Sequence, residues 1–463
     1  MKEVRSLHEE CGIAGVFSNR SSAQLTRFCL HHLQHRGQEG CGIVACDGDG
    51  KMACVKGAGL VSEVFEDAAE VDDRLSGMSA IGHVRYGTSG GGGVENIQPF
   101  MFRLSSGPFA IAHNGNIVNA DVLKDQLCRE GAIFGSSSDT EVIAHLIHRS
   151  GRCSRNGMLD ALSYAMNRLD GAVSLLVLVP GAIYACRDRY GFRPLSYGRY
   201  GDGYVFASET CALEALEIYD IHDVEPGEIV SVDKDGIHSF RFTENSLSKM
   251  CAMEYIYFAR TDSTIEGTCV HTFRKNSGRI LYEESPADAD MVIAVPDSGL
   301  SAAIGYAEAG GLPVEMGLVK NRYVGRTFIQ PSQGMRESGV RMKLSPLKSV
   351  IRGKRLVLID DSIVRGTTSL KIVRMLREAG AAEIHVRISS PMITSPCFYG
   401  VDISSTNELL CVGKTVDEAC KAIEADSLAF ISEEGLLRAG SRSDLCMACF
   451  NKKYPTNLYD NKI

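Results

Sequence analysis

Residues 357–369 read Val-Leu-Ile-Asp-Asp-Ser-Ile-Val-Arg-Gly-Thr-Thr-Ser, and this stretch constrains the fold more than any other in the chain. The run Arg355–Ile359 is short and apolar enough for a buried strand, an acid pair stands at its carboxyl end, and Gly366 opens an amphipathic helix over Thr367–Ala379. A further apolar run follows at Ile384–Ile388. Strand, helix and strand in that order make a parallel unit, and such a sheet must be covered by helices. The rhythm also occurs earlier, as strand Met291–Val295, the turn Pro296-Asp-Ser-Gly299 and a helix over Ala302–Ala309. The second half of the chain therefore reads as an α/β domain with a parallel sheet.

The same stretch carries chemistry. Backbone amides and the dipole at the start of the helix can hold a phosphate, with Thr367, Thr368 and Ser369 adding hydroxyl donors. Asp360 and Asp361 are placed to face a sugar or Mg²⁺, directly or through water. An acidic cap on an ordinary helix would need neither the glycine nor the hydroxyl run. The segment resembles the diphosphate-sugar signature of type I phosphoribosyltransferases, which bind 5-phosphoribosyl diphosphate (PRPP) with this loop. The resemblance implies PRPP contacts at Asp360, Asp361, Arg365, Gly366, Thr367, Thr368 and Ser369, and a magnesium site at Ser298, Asp360 and Asp361. Between the two strand ends, Lys320-Asn-Arg-Tyr-Val-Gly-Arg-Thr-Phe-Ile329 and the later Arg336, Arg341, Lys343 and Lys348 form a local cationic stretch. It is long enough to close over an anion, with Lys320 and Arg326 on the diphosphate.

The first half has a different rhythm. Short β-like runs at Gly12–Phe17, Met52–Val55, Ser79–Arg85, Phe109–His113, Val173–Val179, Ala182–Arg187 and Tyr204–Ala207 alternate with turn signals, and helical patterns fall at Ala23–His35 and Thr140–His148. Stacked sheets flanked by helices are expected, with the boundary in the polar stretch Asp233–Lys249. Cys11-Gly-Ile-Ala-Gly15 follows ten residues rich in charge that fit poorly onto a strand. Without those ten, Cys11 has a free α-amine suited to act as general base for its own thiol. His35-Arg-Gly-Gln-Glu-Gly40, Gly82-His-Val-Arg-Tyr-Gly-Thr88, His113-Asn-Gly-Asn116 and Ser138-Asp-Thr-Glu141 complete a pattern that resembles class II glutamine amidotransferases of the N-terminal-nucleophile family.

That resemblance implies Cys11 as nucleophile, with Asn114 and Gly115 as oxyanion donors. Arg85 would pair with the α-carboxylate of glutamine and Asp139 with its α-ammonium, while Arg36, Gly37, Tyr86 and Thr88 shape the pocket. Arg187-Asp-Arg-Tyr-Gly-Phe-Arg-Pro-Leu195 and Ala207-Ser-Glu-Thr210 read as structural. The implied architecture is a propeptide over 1–10, an α+β (αββα) glutaminase domain over 11–240, and a phosphoribosyltransferase domain over 250–463 ending in a cysteine-bearing segment.

Composition narrows the alternatives. At 463 residues the chain exceeds what one core serves, so a single small module is excluded. Lys and Arg number 49 against 57 Asp and Glu, and the net charge of −8 gives no overall basic field for nucleic acid. No run of 18 apolar residues offers a membrane span. The chain start carries no signal-peptide core, so the 16 cysteines are expected in a reduced, cytoplasmic protein.

Four of those cysteines stand apart. Cys446-Met-Ala-Cys449 with Cys251 and Cys397 would suit Zn²⁺ or a four-iron four-sulfur cluster, and spacing alone does not choose. Cys251-Ala-Met-Glu-Tyr-Ile-Tyr-Phe258, Pro396-Cys-Phe-Tyr-Gly400 and the terminal CxxCF resemble the iron–sulfur branch of the PRPP amidotransferases, which have a cleaved propeptide. The sequence departs from that family at Lys452, where Gly is usual, and at Arg189, where Pro is familiar. The resemblance further implies a structural cluster, ammonia passing between two sites, purine nucleotides as feedback inhibitors and a homotetramer. Two rivals are weaker. Coupling to an ATP-using synthetase needs an SGGxDS-type loop, and Ser89-Gly-Gly-Gly-Gly93 lacks its Asp. A PRPP-sensing regulator would have no use for Cys11, Arg85, Asn114 and Asp139.

Overall fold

The structure is a computed structural model that describes residues 11–18, 21–67, 71, 73–86, 93–151, 157–321, 344–403 and 405–459. Its first half stacks two antiparallel sheets. One has seven strands in the order Ile221–Asp223, Ser196–Tyr200, Gly203–Ala207, Gly12–Phe17, Ser79–Arg85, Gly40–Cys46 and Met52–Ala58. The other has six, in the order Gly236–Arg241, Glu228–Asp233, Ala182–Arg187, Gly171–Val179, Gly107–Ile117 and Phe100–Leu104.

Both faces of the central strands are buried, which is why they read as continuous apolar runs. In Gly171–Val179, Leu176 and Leu178 pack into the inter-sheet core with Ile13, Ile81 and Phe206. Leu175 and Val177 point the other way, against helices Thr140–Arg149 and Met158–Met166. Helix Ser22–His32 covers the outer face of the seven-stranded sheet, where Leu30 meets Ala14 and Val84. The result is a helix–sheet–sheet–helix sandwich. Its strand Gly236–Arg241 lies inside the polar stretch expected to form the boundary, so that stretch begins as the second arm of a hairpin.

The second half is built on a four-stranded parallel sheet, Met291–Ala294, Arg355–Asp360, Glu383–Ile388 and Ser427–Phe430. In the strand Arg355–Asp360, Val357 and Ile359 face helices Val270–Glu284 and Leu300–Gly310, while Leu356 and Leu358 face helix Thr367–Glu378. Helices Val270–Glu284 and Leu300–Gly310 touch backbone to backbone. A Cβ on Gly278 would stand 1.9 Å from the Ala302 carbonyl, and one on Gly305 1.8 Å from that of Lys275.

The halves meet over a small aromatic core in which Phe192 stacks on Tyr399 with ring centroids 4.2 Å apart, beside Val118, Ala172 and Cys446. Among the described residues no helix is long and apolar enough to cross a membrane.

Candidate active site

At the sandwich end, Cys11 sits half-buried just before strand Gly12–Phe17. Its thiol donates to the Tyr86 carbonyl at 3.5 Å, and its own carbonyl accepts from Arg36 Nε at 3.1 Å. Asn114 lies on strand Gly107–Ile117 and is buried, yet among the described residues its Nδ2 has no hydrogen-bond partner. A buried donor without an acceptor costs about 1–3 kcal/mol, so its retention points to an acceptor that arrives with a ligand. Gly115 follows at φ +146°, and a Cβ there would stand 2.0 Å from the Ala172 carbonyl, so only glycine fits.

Arg85 is buried at the end of strand Ser79–Arg85 and donates from Nη1 to the Gly93 carbonyl at 3.4 Å. Asp139 accepts from the Ile117 N–H at 2.9 Å through Oδ2, so it also clamps the strand that carries Asn114. Gly37 is a packing requirement, since a Cβ would stand 2.6 Å from the Arg85 backbone carbon.

The guanidinium of Arg36 is fully buried, with Nη1 paired to Glu209 at 2.6 Å and Nη2 to Glu254 at 2.8 Å. Its link to the site is the bond to the Cys11 backbone. Thr88 lies outside the described residues, as do Arg326, Arg336, Arg341, Lys343 and the segment 1–10.

His83 was not singled out by sequence. It is fully buried, its Nε2–H donates to the His113 carbonyl at 3.2 Å, and its Nδ1 has no partner among the described residues. Burial pulls its pKa down to about 3, with His113 adding to the effect, so the ring is neutral. His113 Nε2–H donates to the Ala172 carbonyl at 3.3 Å, and burial lowers its pKa too. The Gly82-His-Val-Arg motif contained the signal, since a histidine inside an apolar strand must be either satisfied or used.

At the parallel-sheet end, Asp360 and Asp361 cap strand Arg355–Asp360 and are both buried. The Asp361 N–H donates to Asp360 Oδ1 at 2.9 Å. Ser298, from the Pro296–Gly299 turn, hydrogen-bonds the Asp361 carboxylate, and the Ser362 hydroxyl donates to it as well. Burial, then the neighbouring Asp361 charge, raises the Asp360 carboxyl well above its usual range. Burial raises Asp361 too, against hydrogen bonds from Ser298 and Ser362 and the nearby Arg274 charge. Two crowded, desolvated acids of this kind could hold a cation, and a hard divalent ion would restore both to the carboxylate form.

Gly366 adopts φ +74° at the start of helix Thr367–Glu378, where a Cβ would meet Leu410 at 2.8 Å. Thr367 and Thr368 are exposed and Ser369 is buried. Arg365 is pinned to Glu408 through Nε at 3.0 Å and leaves Nη1 buried without a partner among the described residues. Lys320 Nζ already reaches Asp297 Oδ2 of the turn at 2.8 Å.

The four singled-out cysteines are brought together at the junction of the halves. Cys251 and Cys446 form a parallel bridge, with Cys446 N–H donating to Met250 O at 2.8 Å. Thr394 and Ser395 donate to the Cys449 carbonyl at 2.9 and 3.1 Å, drawing the Cys397 segment in. The Tyr399 N–H donates to Cys397 Sγ at 3.3 Å. Burial raises the Cys449 thiol well above its ordinary range, and Cys397, Cys251 and Cys446 each add to the rise. The 15 described cysteines are all free thiols. Among the described residues no three metal-capable side chains converge on one ion.

A double antiparallel sandwich with a cysteine at the head of an inner strand, fused to a parallel sheet ending in an acid pair and a glycine-opened helix, defines a glutamine amidotransferase joined to a phosphoribosyltransferase. Residues 92–215 match the glutamine amidotransferase domain family and residues 273–389 the phosphoribosyl transferase domain family. The chain is 52% identical over 470 residues to the amidophosphoribosyltransferase of Bacillus subtilis (strain 168), covering 100% of this chain and 98% of that protein. It is 48% identical over 468 residues to the amidophosphoribosyltransferase of Staphylococcus aureus (strain COL), covering 99% of this chain and 94% of the relative. It resembles the solved glutamine PRPP amidotransferase from B. subtilis complexed with ADP and GMP at a TM-score of 0.92 and 51% identity, covering 98% of this chain and 99% of the other. The chain belongs to the amidophosphoribosyltransferase family, enzymes of purine biosynthesis.

Proposed function

We propose that the protein converts glutamine, PRPP and water into 5-phosphoribosylamine, glutamate and diphosphate, the first committed step of purine synthesis. The observation that supports this most directly is the pairing, in one chain, of the Cys11 thiol and unpartnered Asn114 amide with the acid pair and glycine-opened helix. Removal of residues 1–10 gives Cys11 its α-amine, which takes the thiol proton. The thiolate attacks the amide carbon of glutamine, and Asn114 Nδ2 with the Gly115 N–H donates to the oxyanion. Ammonia leaves with a proton returned by the amine, and water then cleaves the thioester to glutamate and free thiol. Arg85 and Asp139 hold the glutamine α-carboxylate and α-ammonium, and the Tyr86 carbonyl orients the thiol.

At the second site Thr367, Thr368 and Ser369 hold the 5-phosphate, with Arg365 and Gly366 shaping the loop. Lys320 and Arg326 close over the diphosphate, which leaves carbon 1 through an oxocarbenium-like state while ammonia adds to that carbon. Ser298, Asp360 and Asp361 would hold a magnesium ion, which supplies neutralisation of the leaving diphosphate when bound. Ammonia reaches this site inside the molecule. Cys251, Cys397, Cys446 and Cys449 would hold a four-iron four-sulfur cluster in a structural role. The four thiols lie close enough for Cys397, Cys251 and Cys446 to add to the raised pKa of Cys449, and the choice of a cluster over Zn²⁺ rests on the resemblance of the three cysteine segments to the iron–sulfur branch. Purine nucleotides act as feedback inhibitors, in keeping with the ADP and GMP bound in the B. subtilis structure. The enzyme works in the cytoplasm as a homotetramer.

Cys11→Ala tests the division of labour. It is expected to abolish glutamine-dependent product while leaving ammonia-dependent product, and loss of both would overturn the two-site reading. Mass spectrometry of the mature N-terminus should find Cys11, and a retained Met1 would remove the proposed base. Anaerobic preparation should yield iron and sulfide, about four of each per chain; zinc without sulfide would refute the cluster.

A further inference from the structure

We propose that Glu254, a residue of the phosphoribosyltransferase half, positions the Cys11 nucleophile of the glutaminase half through Arg36, so that glutamine use requires a carboxylate supplied across the domain border. The inference rests on the reading of Cys11 as nucleophile. Strand pairing begins at Gly12, opposite Val84, so Cys11 lies beyond the paired register. Its carbonyl is instead held by a side chain, Arg36 Nε at 3.1 Å. For an N-terminal nucleophile that carbonyl is the handle that sets the rotation of both thiol and amine.

Arg36 in turn is aimed by two carboxylates. Glu209 accepts from Nη1 at 2.6 Å, and Glu254 accepts from Nη1 at 3.0 Å and Nη2 at 2.8 Å. Arg193 donates to the same Glu254 Oε1 at 3.1 Å and to the Tyr399 carbonyl at 2.7 Å. The side chains of Arg36, Glu209, Arg193 and Glu254 are all fully buried. Two guanidinium groups balance two carboxylates, and burial alone would raise Glu209, but His35 and Arg36 hold its carboxyl well below the usual range. Glu254 is likewise lowered, against its burial, by Arg36 and Arg193.

The network crosses the border at several points. Glu254 and Tyr399 come from the second half, and Glu209 also accepts from the Arg260 N–H at 2.9 Å and the Ser263 hydroxyl at 2.7 Å. A purely cohesive contact would not need to end on the nucleophile's own backbone. Another border pair, Arg187 with Glu266, has no hydrogen bond to Cys11 among the described residues and serves as the internal control.

The test compares glutamine- and ammonia-dependent rates of the full enzyme. Wild-type enzyme must first show both, and failure there would strike the assigned reaction rather than the role of Glu254. Glu254→Gln keeps shape and removes charge. It is expected to lower glutamine-dependent kcat by about 10–100-fold, the scale for a displaced reacting group. The glutamine KM and the ammonia-dependent rate should stay within about twofold, and alkylation of Cys11 by iodoacetamide should slow in parallel. Glu266→Gln should leave the ratio of the two rates unchanged. If Glu254→Gln loses both rates, Glu254→Asp, which keeps the charge at shorter reach, decides. A selective fall in its glutamine rate supports the positioning role, and an equal fall in both overturns it. An unchanged glutamine rate in Glu254→Gln overturns it outright.

Discussion

The two catalytic ends hold their polar groups in opposite states. At the glutaminase end, a buried charge cluster is matched in place, with Arg36 and Arg193 facing Glu209 and Glu254, and burial lowers the pKa of both His83 and His113. Among the described residues, the groups without a partner there include a neutral donor, Asn114 Nδ2, and the Nδ1 of the His83 ring. At the phosphoribosyl end, two buried acids stand side by side, both with raised pKa values, and Arg274, whose charge acts on Asp361, is committed to the carbonyls of Tyr255 and Ala259. The contrast follows the chemistry each end performs. On the proposed function, an oxyanion that forms transiently needs a donor waiting, whereas a diphosphate would arrive with a metal ion, so the acid pair can stay without a matching cation until then.

Asp361→Asn breaks the comparison most severely. It removes half of the charge that would attract the metal while keeping the Ser298 neighbour, and a Lewis-acid contribution of several kcal/mol corresponds to roughly a 1,000-fold loss of turnover. The loss should appear with glutamine and with ammonia alike, because both nitrogen sources meet the same sugar. Steady-state rates with each source are the measurement, and a loss confined to glutamine would place Asp361 in the wrong site.

Asn114→Ala should cost about 100- to 1,000-fold in glutamine-dependent kcat, the usual consequence of deleting one oxyanion donor. Its effect on stability should be close to nil or favourable, since the mutation removes a buried donor that has no partner among the described residues. Ammonia-dependent turnover should be untouched. A large drop in unfolding midpoint would show instead that Asn114 is a structural residue.

The phosphoribosyl end was far more legible from sequence than the glutaminase end, and the reason is locality. Strand, acid pair, Gly366 and hydroxyl run lie within 15 residues, each with a physical requirement readable on its own. Strands Gly12–Phe17, Ser79–Arg85 and Ala182–Arg187 were equally clear, being bounded by turn residues. Helix Val270–Glu284 escaped notice because its buried face includes Arg274, Ser277 and Gly278, which blur the apolar period. Strand Gly40–Cys46 escaped because its two glycines, needed against Ile97 and the Gln98 carbonyl, look like loop. Glu209 and Arg193 sat in motifs read as merely structural, and their role exists only where positions 36, 193, 209 and 254 converge.

The smallest effect, and the one that sharpens the contrast, is in acid stability. The folded pKa of His83, about 3, lies below the unfolded value of about 6.5, so its contribution is intact above pH 6.5 and is lost as pH falls toward 3. In that window the unfolded chain takes a proton that the folded ring refuses, at about 1.4 kcal/mol per pH unit. Asp360 and Asp361 act with the opposite sign, because raised carboxyls take up protons in the folded state first and gain stability on acidification. His83→Gln should therefore reduce the loss of unfolding free energy between pH 7.0 and 5.5 by about 1.4 kcal/mol, read from urea midpoints at the two values. Adding magnesium and PRPP should steepen the acid loss of both proteins, since the acids then no longer gain from protonation. A pH dependence that is the same with and without His83 would mean that the folded ring takes up a proton as readily as the unfolded chain, and the glutaminase end would then gain an unbalanced charge on acidification.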